Sequence, residues 1–138
     1  MENCVFCKII KKEIPASIIY ENVKTIAFLD VSPAAKGHIL VLPKNHHELF
    51  SDMNDEDSKA LILTMKKISK GLLKFSEGLN IIQNNKKVAG QYVPHVHFHL
   101  IPRNFNDGIT ISEKWNHYKY QNKEIEETAE EIRKLINN

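Results

Sequence analysis

The chain has 138 residues, 42% of them hydrophobic and 26% charged, with a formal net charge of +2 at neutral pH. That length suits one domain with one core, and so even a charge balance gives no compositional case for nucleic-acid binding. No apolar run approaches the roughly 20 residues that cross a membrane. Glu2 and two early cysteines do not make a signal peptide, so the expected compartment is the cytosol. A disulfide between Cys4 and Cys7 is disfavoured there, which leaves a metal site, a redox pair or buried thiols.

Residues 4–12 place Val5, Phe6, Ile9 and Ile10 at helical spacing and predict a short amphipathic helix that Pro15 ends. Residues 17–20 and 25–29 read as strands joined by a polar turn at Glu21-Asn22. Pro33 and Gly37 frame a loop. The apolar run 38–43 predicts a buried strand. Asn54 or Asp55 caps a long helix that reaches Phe75, with its stripe at Leu61, Met65, Ile68, Leu72 and Phe75 and a stop at Gly78. Residues 79–83 form a further strand and 84–90 a polar loop. A histidine-bearing strand ends at Pro102, residues 104–114 are irregular, and 124–136 form a weakly apolar, surface-packed helix. Strands and helices fall in separate groups, which favours an α+β fold with an antiparallel sheet. There is no repeat, low-complexity stretch or linker.

The most informative segment is His95-Val96-His97-Phe98-His99-Leu100. In an extended chain, alternate side chains share a face, so three imidazoles line one side and three apolar groups the other. A helix would scatter them. Imidazole near neutral pH serves as nucleophile, general acid or metal ligand. The preceding loop carries Asn84, Asn85 and Gly90. Gly90 permits close backbone approach to a ligand, and free N–H groups there suit an anion. Taken alone, such a loop is usually just a turn; its adjacency to the histidines puts the functional reading level with that one.

Together these residues resemble a known family. Asn84-Asn85, Ala89-Gly90-Gln91, His95-x-His97-x-His99 and Pro102-Arg103 match the signature of the histidine triad (HIT) nucleotide-binding superfamily. Phe6-Cys7-Lys8-Ile9-Ile10, Ala27-Phe28-Leu29-Asp30-Val31-Ser32-Pro33 and Gly37-His38-Ile39-Leu40-Val41-Leu42-Pro43-Lys44 follow in family order. The resemblance covers residues 4–103, is nearest the Hint-like bacterial branch, and leaves 104–138 as a C-terminal extension of one domain. It implies a HIT-like fold, with about five antiparallel strands, one long helix and short terminal helices.

The resemblance implies a two-step nucleotidyl transfer on purine nucleoside 5′-phosphoramidates or related conjugates. His97 attacks the α-phosphorus, a covalent nucleotidyl-histidine forms, and water releases the nucleoside monophosphate. His99 contacts the α-phosphate or assists the leaving group. Gly90, Gln91, Tyr92 and Val93 line the phosphate site, and Asn84 holds the phosphate or ribose side. Asp30 accepts from ribose hydroxyls, with Val31, Phe6, Ile9 and Phe28 around the base. Phe6, Ile9 and Phe28 are equally well core residues. Two departures from the family pattern stand out: Lys86 where many members have glycine, and Tyr92 where the eukaryotic Hint branch has serine.

Cysteines at i and i+3 share one helix face and suit a single tetrahedral ion. The resemblance completes the set as Cys4, Cys7, His46 and His95, a structural zinc site. His47 competes with His46 but is off the family register. A thioredoxin-like redox role is weak, because no strand precedes the pair. His38 reads as structural, and neither His117 nor Trp115 receives a role. The long-helix stripe reads as core, and the resemblance adds a homodimer that pairs such helices and joins the sheets. Rival readings are a dinucleoside polyphosphate hydrolase, a nucleotide-binding interaction module with low turnover, and a triad that binds a catalytic metal.

Overall fold

The apolar run at 38–43 is explained by a sheet covered on both faces. The computed structural model describes residues 3–111 and 116–137. In chain order it holds α1 (Val5–Ile10), β1 (Ile18–Glu21), β2 (Thr25–Leu29), β3 (Ile39–Pro43), α2 (Asp55–Phe75), β4 (Gly78–Gln83), β5 (Phe98–Arg103) and α3 (Glu124–Ile136). The five strands make one antiparallel sheet in the order β1-β2-β3-β5-β4. A central strand buried on both faces reads as a continuous apolar run, and every residue of β3 is buried.

Register sorts the core into two halves. Ala27 pairs with Val41, and Phe28 with Leu40. Ala27, Ile39, Val41, Val96 and Leu100 pack against Leu61, Met65, Ile68 and Leu72 of α2. On the opposite face Ile26, Phe28, Leu40 and Leu42 pack against Phe6 and Ile9 of α1. The short and the long helix therefore lie on opposite faces of the sheet.

Cap residues fix where the helices begin. Asn54 Oδ1 accepts the Asp57 N–H at 2.8 Å, as its side-chain chemistry predicts. Cys4 Sγ accepts the Cys7 N–H at 3.4 Å at the start of α1. Several expectations need correction. The helix from 4 to 12 ends at Ile10, and Lys12 has φ 65. Gly78 does not stop α2 but opens β4, since Ser76 already caps the helix through its N–H to Leu72 O. Phe75 leaves the core stripe and is half exposed, lying against Gly37 and Pro102. The histidine strand begins only at Phe98. His95 and His97 precede it, so one histidine of the three belongs to the ladder. Trp115 lies outside the described residues.

A buried polar knot joins α2 to the sheet. Asp57 is fully buried and accepts from His47 Nε2 at 2.8 Å, Asn45 Nδ2 at 3.0 Å and Asn54 Nδ2 at 3.3 Å. The His47 carbonyl accepts the Val96 N–H at 2.7 Å, which ties the knot to the histidine segment. Burial pushes the Asp57 carboxyl up, but its bonds from His47 and Asn45 outweigh that and hold it below the ordinary carboxylate range. Its stabilising contribution is thus complete above that range and is lost as pH falls through the lowered value. Asp57→Ala strands the donors of His47, Asn45 and Asn54. It is expected to cost about 3 kcal/mol, read as a lower urea midpoint at pH 7; an unchanged midpoint would show that the knot is not structural.

Candidate active site

Extended backbone aims the histidine side chains at the α1 face. Val96 and Leu100 are fully buried on the α2 side, so His97 and His99 turn the other way, into a cavity of about 610 Å³. Phe6 and Ile9 of α1, Phe28, Asp30 and Val31 at the end of β2, and Asn84, Gly90, Tyr92 and Val93 from the loops are among its other walls. Phe6, Ile9 and Phe28 are core and cavity wall at once. Val31 is 94% exposed and Tyr92 84% exposed, which puts them at the rim.

Gln91 departs from its expected place on the phosphate wall. Its side chain is buried behind the loop, where Oε1 accepts the Lys86 N–H at 2.7 Å and Nε2 donates to Glu48 O at 2.6 Å. Its backbone N–H is taken by Lys86 O. Gly90 sits at φ 96, a left-handed conformation that glycine adopts without a Cβ clash, and its carbonyl lies 3.5 Å from Asn84 Nδ2.

Hydrogen bonds assign the protons on the rings. His97 Nδ1 lies 2.7 Å from the His95 carbonyl, which can only accept, so Nδ1 carries the proton. Burial lowers the pKa of His97, which keeps the ring neutral with a lone pair on Nε2. No hydrogen bond among the described residues engages that nitrogen. His99 has the opposite tautomer. The Ala34 N–H donates to His38 Nδ1 at 2.9 Å, so His38 carries its proton on Nε2. That proton faces His99 Nδ1 at 3.0 Å and leaves His99 protonated on Nε2. Burial, then His97 and His38, press the His99 pKa down to about 4. Two rings 5.0 Å apart thus offer one nucleophilic lone pair and one N–H donor.

His38, read as structural, is therefore the residue the sequence argument missed. Its signal was available: it shares the α1 face with Leu40 and Leu42 by alternation, and β3 places Leu40 opposite His99.

His95 belongs elsewhere. Its ring is buried and donates Nε2–H to Pro43 O at 2.8 Å. Nδ1 then has a lone pair, 3.6 Å from both Cys4 Sγ and Cys7 Sγ, and His46 Nδ1 is 3.3 Å from Cys7 Sγ. These four ligand atoms lie within 4.8 Å of one another. Two thiols and two imidazoles, one ring held by a backbone carbonyl, form a donor set that fits zinc. Burial and the adjacent Cys4 raise the Cys7 pKa, a cost that a cation among the sulfurs removes. His47 is turned away to Asp57. Asp30, His38 and His99 also cluster within 4.8 Å. That set does not fit a metal, because the Ala34 N–H occupies the Nδ1 lone pair of His38 and obliges its Nε2 to keep a proton.

Imidazole NMR tests the ring assignments. His99 should be neutral, protonated on Nε2, and titrate near pH 4. His38→Phe should redistribute the tautomer. An unfolded chain takes up this proton near the ordinary histidine value of 6.5, so the His99 contribution to stability is full above that value and falls as pH drops toward about 4. A His99 resonance that titrates near 6.5 would refute a buried, neutral His99.

A family model described as the HIT domain matches residues 11–106. The adenosine 5′-monophosphoramidase hnt1 of Schizosaccharomyces pombe is 38% identical over 97% of this chain and 98% of its own length. Among solved structures, a HIT family member from Bacillus subtilis is 37% identical with a TM-score of 0.89, covering 96% of both chains. A zinc-bound histidine triad family protein from Mycobacterium smegmatis is 31% identical with a TM-score of 0.75, covering 83% of this chain and 85% of its own. With the signature residues gathered around one cavity and likeness along almost the whole length, the chain belongs to the HIT family.

Proposed function

We propose that the protein hydrolyses purine nucleoside 5′-phosphoramidates or related nucleotidyl conjugates at the α-phosphate. The observation that carries this is the pair of opposed tautomers, with His97 Nε2 free to attack and His99 Nε2–H placed to donate. His97 Nε2 forms a bond to phosphorus as the bond to the leaving amine breaks, and the amine departs with the electron pair and takes a proton from solvent. The ring becomes cationic, and its Nδ1–H bond to the His95 carbonyl strengthens as it does so. Water then attacks phosphorus, the N–P bond breaks, a proton is released, and the nucleoside monophosphate leaves.

The surrounding residues take roles that their positions support. His99 Nε2–H steadies charge on a phosphoryl oxygen, helped by Asn84 and by the backbone at Gly90, Tyr92 and Val93. Asp30 accepts from the ribose hydroxyls, its Oδ1 already receiving the Ser32 N–H at 2.8 Å. The base lies among Phe6, Ile9, Phe28 and Val31. Cys4, Cys7, His46 and His95 hold a structural zinc ion, outside the chemical steps. A cytoplasmic enzyme built as one domain, with 104–138 as its extension, is part of the same reading. The name carried by the fission-yeast relative supports the substrate class.

Turnover of an adenosine phosphoramidate and of a dinucleoside polyphosphate, measured side by side, tests the reading. The phosphoramidate should be preferred, and protein denatured at alkaline pH, where a nucleotidyl-histidine P–N bond survives, should carry one nucleoside monophosphate on His97. His97→Ala should reduce turnover by about a thousandfold or more; full activity in that variant would sink the covalent mechanism. Preference for the polyphosphate would move the assignment to that class of hydrolase.

Ile62, Leu63 and Leu73 on α2 and Ile81 on edge strand β4 are large, apolar and about half exposed or more. They support the homodimer, which would cover them. Light scattering should give twice the chain mass of 15.9 kDa, and Ile81→Lys should shift it toward the monomer. A wild-type monomer at tens of micromolar (about 10–100 μM, where specific complexes persist) would exclude the dimer.

A further inference from the structure

The cysteine cluster and the cavity share one short helix. α1 has six residues, far fewer than a helix needs to hold together by itself in water. Cys4 and Cys7 face the histidines His46 and His95, while Val5, Phe6 and Ile9 line the cavity. The Phe6 ring lies 5.0 Å from that of His97. Among the described residues, every side-chain hydrogen bond from residues 4–10 to the sheet and its loops runs through Cys4 or Cys7. A second link runs through His95, whose ring faces the cluster and whose carbonyl fixes the proton on His97.

We infer that metal occupancy of the Cys4–Cys7–His46–His95 cluster sets the nucleotide affinity of the cavity, by holding α1 in place as its wall. The inference rests on the cluster being a zinc site and the cavity a nucleotide site. A bound ion ties both cysteines to loop residue His46 and to His95. Once it is removed, three weak thiol–imidazole contacts and the packing of Phe6 and Ile9 remain to hold α1. A wall free to fray must be ordered again when the base enters, and that ordering weakens binding. Coupling of this kind is reciprocal: the nucleotide must raise zinc affinity by the same factor that zinc raises nucleotide affinity.

The experiment uses the full chain and AMP as probe, with calorimetry in three states: zinc-loaded, chelator-stripped and zinc-restored. AMP is expected to bind about tenfold more weakly to the stripped chain and to recover with zinc, a change of about 1.4 kcal/mol. Hydrogen exchange should rise over residues 4–10 and stay level in α2. In the loaded protein, saturating AMP should lower zinc transfer to a chromogenic chelator at equilibrium by a matching factor. Phe6→Ala should weaken AMP binding while zinc stays bound, which separates the wall from the ligands. An AMP affinity within twofold in all three states overturns the coupling and leaves both site readings standing. A chain that takes up no zinc overturns the metal reading and the coupling together, and loaded protein that ignores AMP overturns the nucleotide reading and the coupling. Loss of the far-UV helix signal on stripping overturns local coupling in favour of an ion needed for the whole fold.

Discussion

The site depends on one hydrogen bond, from His97 Nδ1–H to the carbonyl of His95 at 2.7 Å. A neutral imidazole has one proton and two nitrogens, so anchoring the proton on Nδ1 leaves the lone pair on Nε2. The bond is possible because the strand starts late. Within a ladder, backbone carbonyls are consumed by neighbouring strands. Pairing with β3 and β4 reaches back only to Phe98, so the His95 carbonyl remains free to turn toward its neighbour two residues on. The late start of β5 is thus what permits a neutral, oriented nucleophile.

Burial keeps the rings neutral, and at His97 the residue Phe6 of α1 contributes to it. Burial lowers the pKa of His38, His97 and His99 alike. On the open α1 face of the sheet, these imidazoles would meet water. Phe6 closes over His97 with an edge-on ring contact and also packs on Phe28 at 5.8 Å. Val96 and Leu100 fill the opposite face against α2. The alternation of histidine with apolar residues therefore serves two cores at once, one dry throughout and one ending in a cavity.

Much of this was legible because period and caps are local signals. The α2 stripe through Leu72, the Asn54 cap and the apolar β3 run each fix their element without reference to the rest of the chain. The gathering of Cys4, Cys7, His46 and His95 was legible only through the family signature, since ligands separated by tens of residues have no local pattern. Among the features not read, three are instructive. The start of β5 depends on which partner strands reach it, a property of the sheet. Phe75 satisfies the stripe spacing but lies past the edge of what α2 covers. His38 was set aside because a histidine at a strand start looks like any polar residue at an apolar run's edge, until the register puts it beside His99.

The loop at 84–91 shows how the fold shapes a wall that has few side chains of its own. Lys86 has φ 71 and ψ 155, a region nearly restricted to glycine, which costs a lysine on the order of 1–3 kcal/mol. A glycine at this position would take the same conformation without that cost. Here the strain is held from behind. Gln91 accepts the Lys86 N–H and anchors itself on Glu48 O, so a buried side chain outside the cavity imposes the turn. The segment 45–48 that receives this anchor also supplies His46 to the cysteine cluster and His47 to Asp57. One short stretch of chain thus braces the phosphate-side loop, the ligand cluster and the N-terminal end of α2. Residues 45–48 are therefore a shared support for all three, while His95 joins the ligand cluster directly to His97.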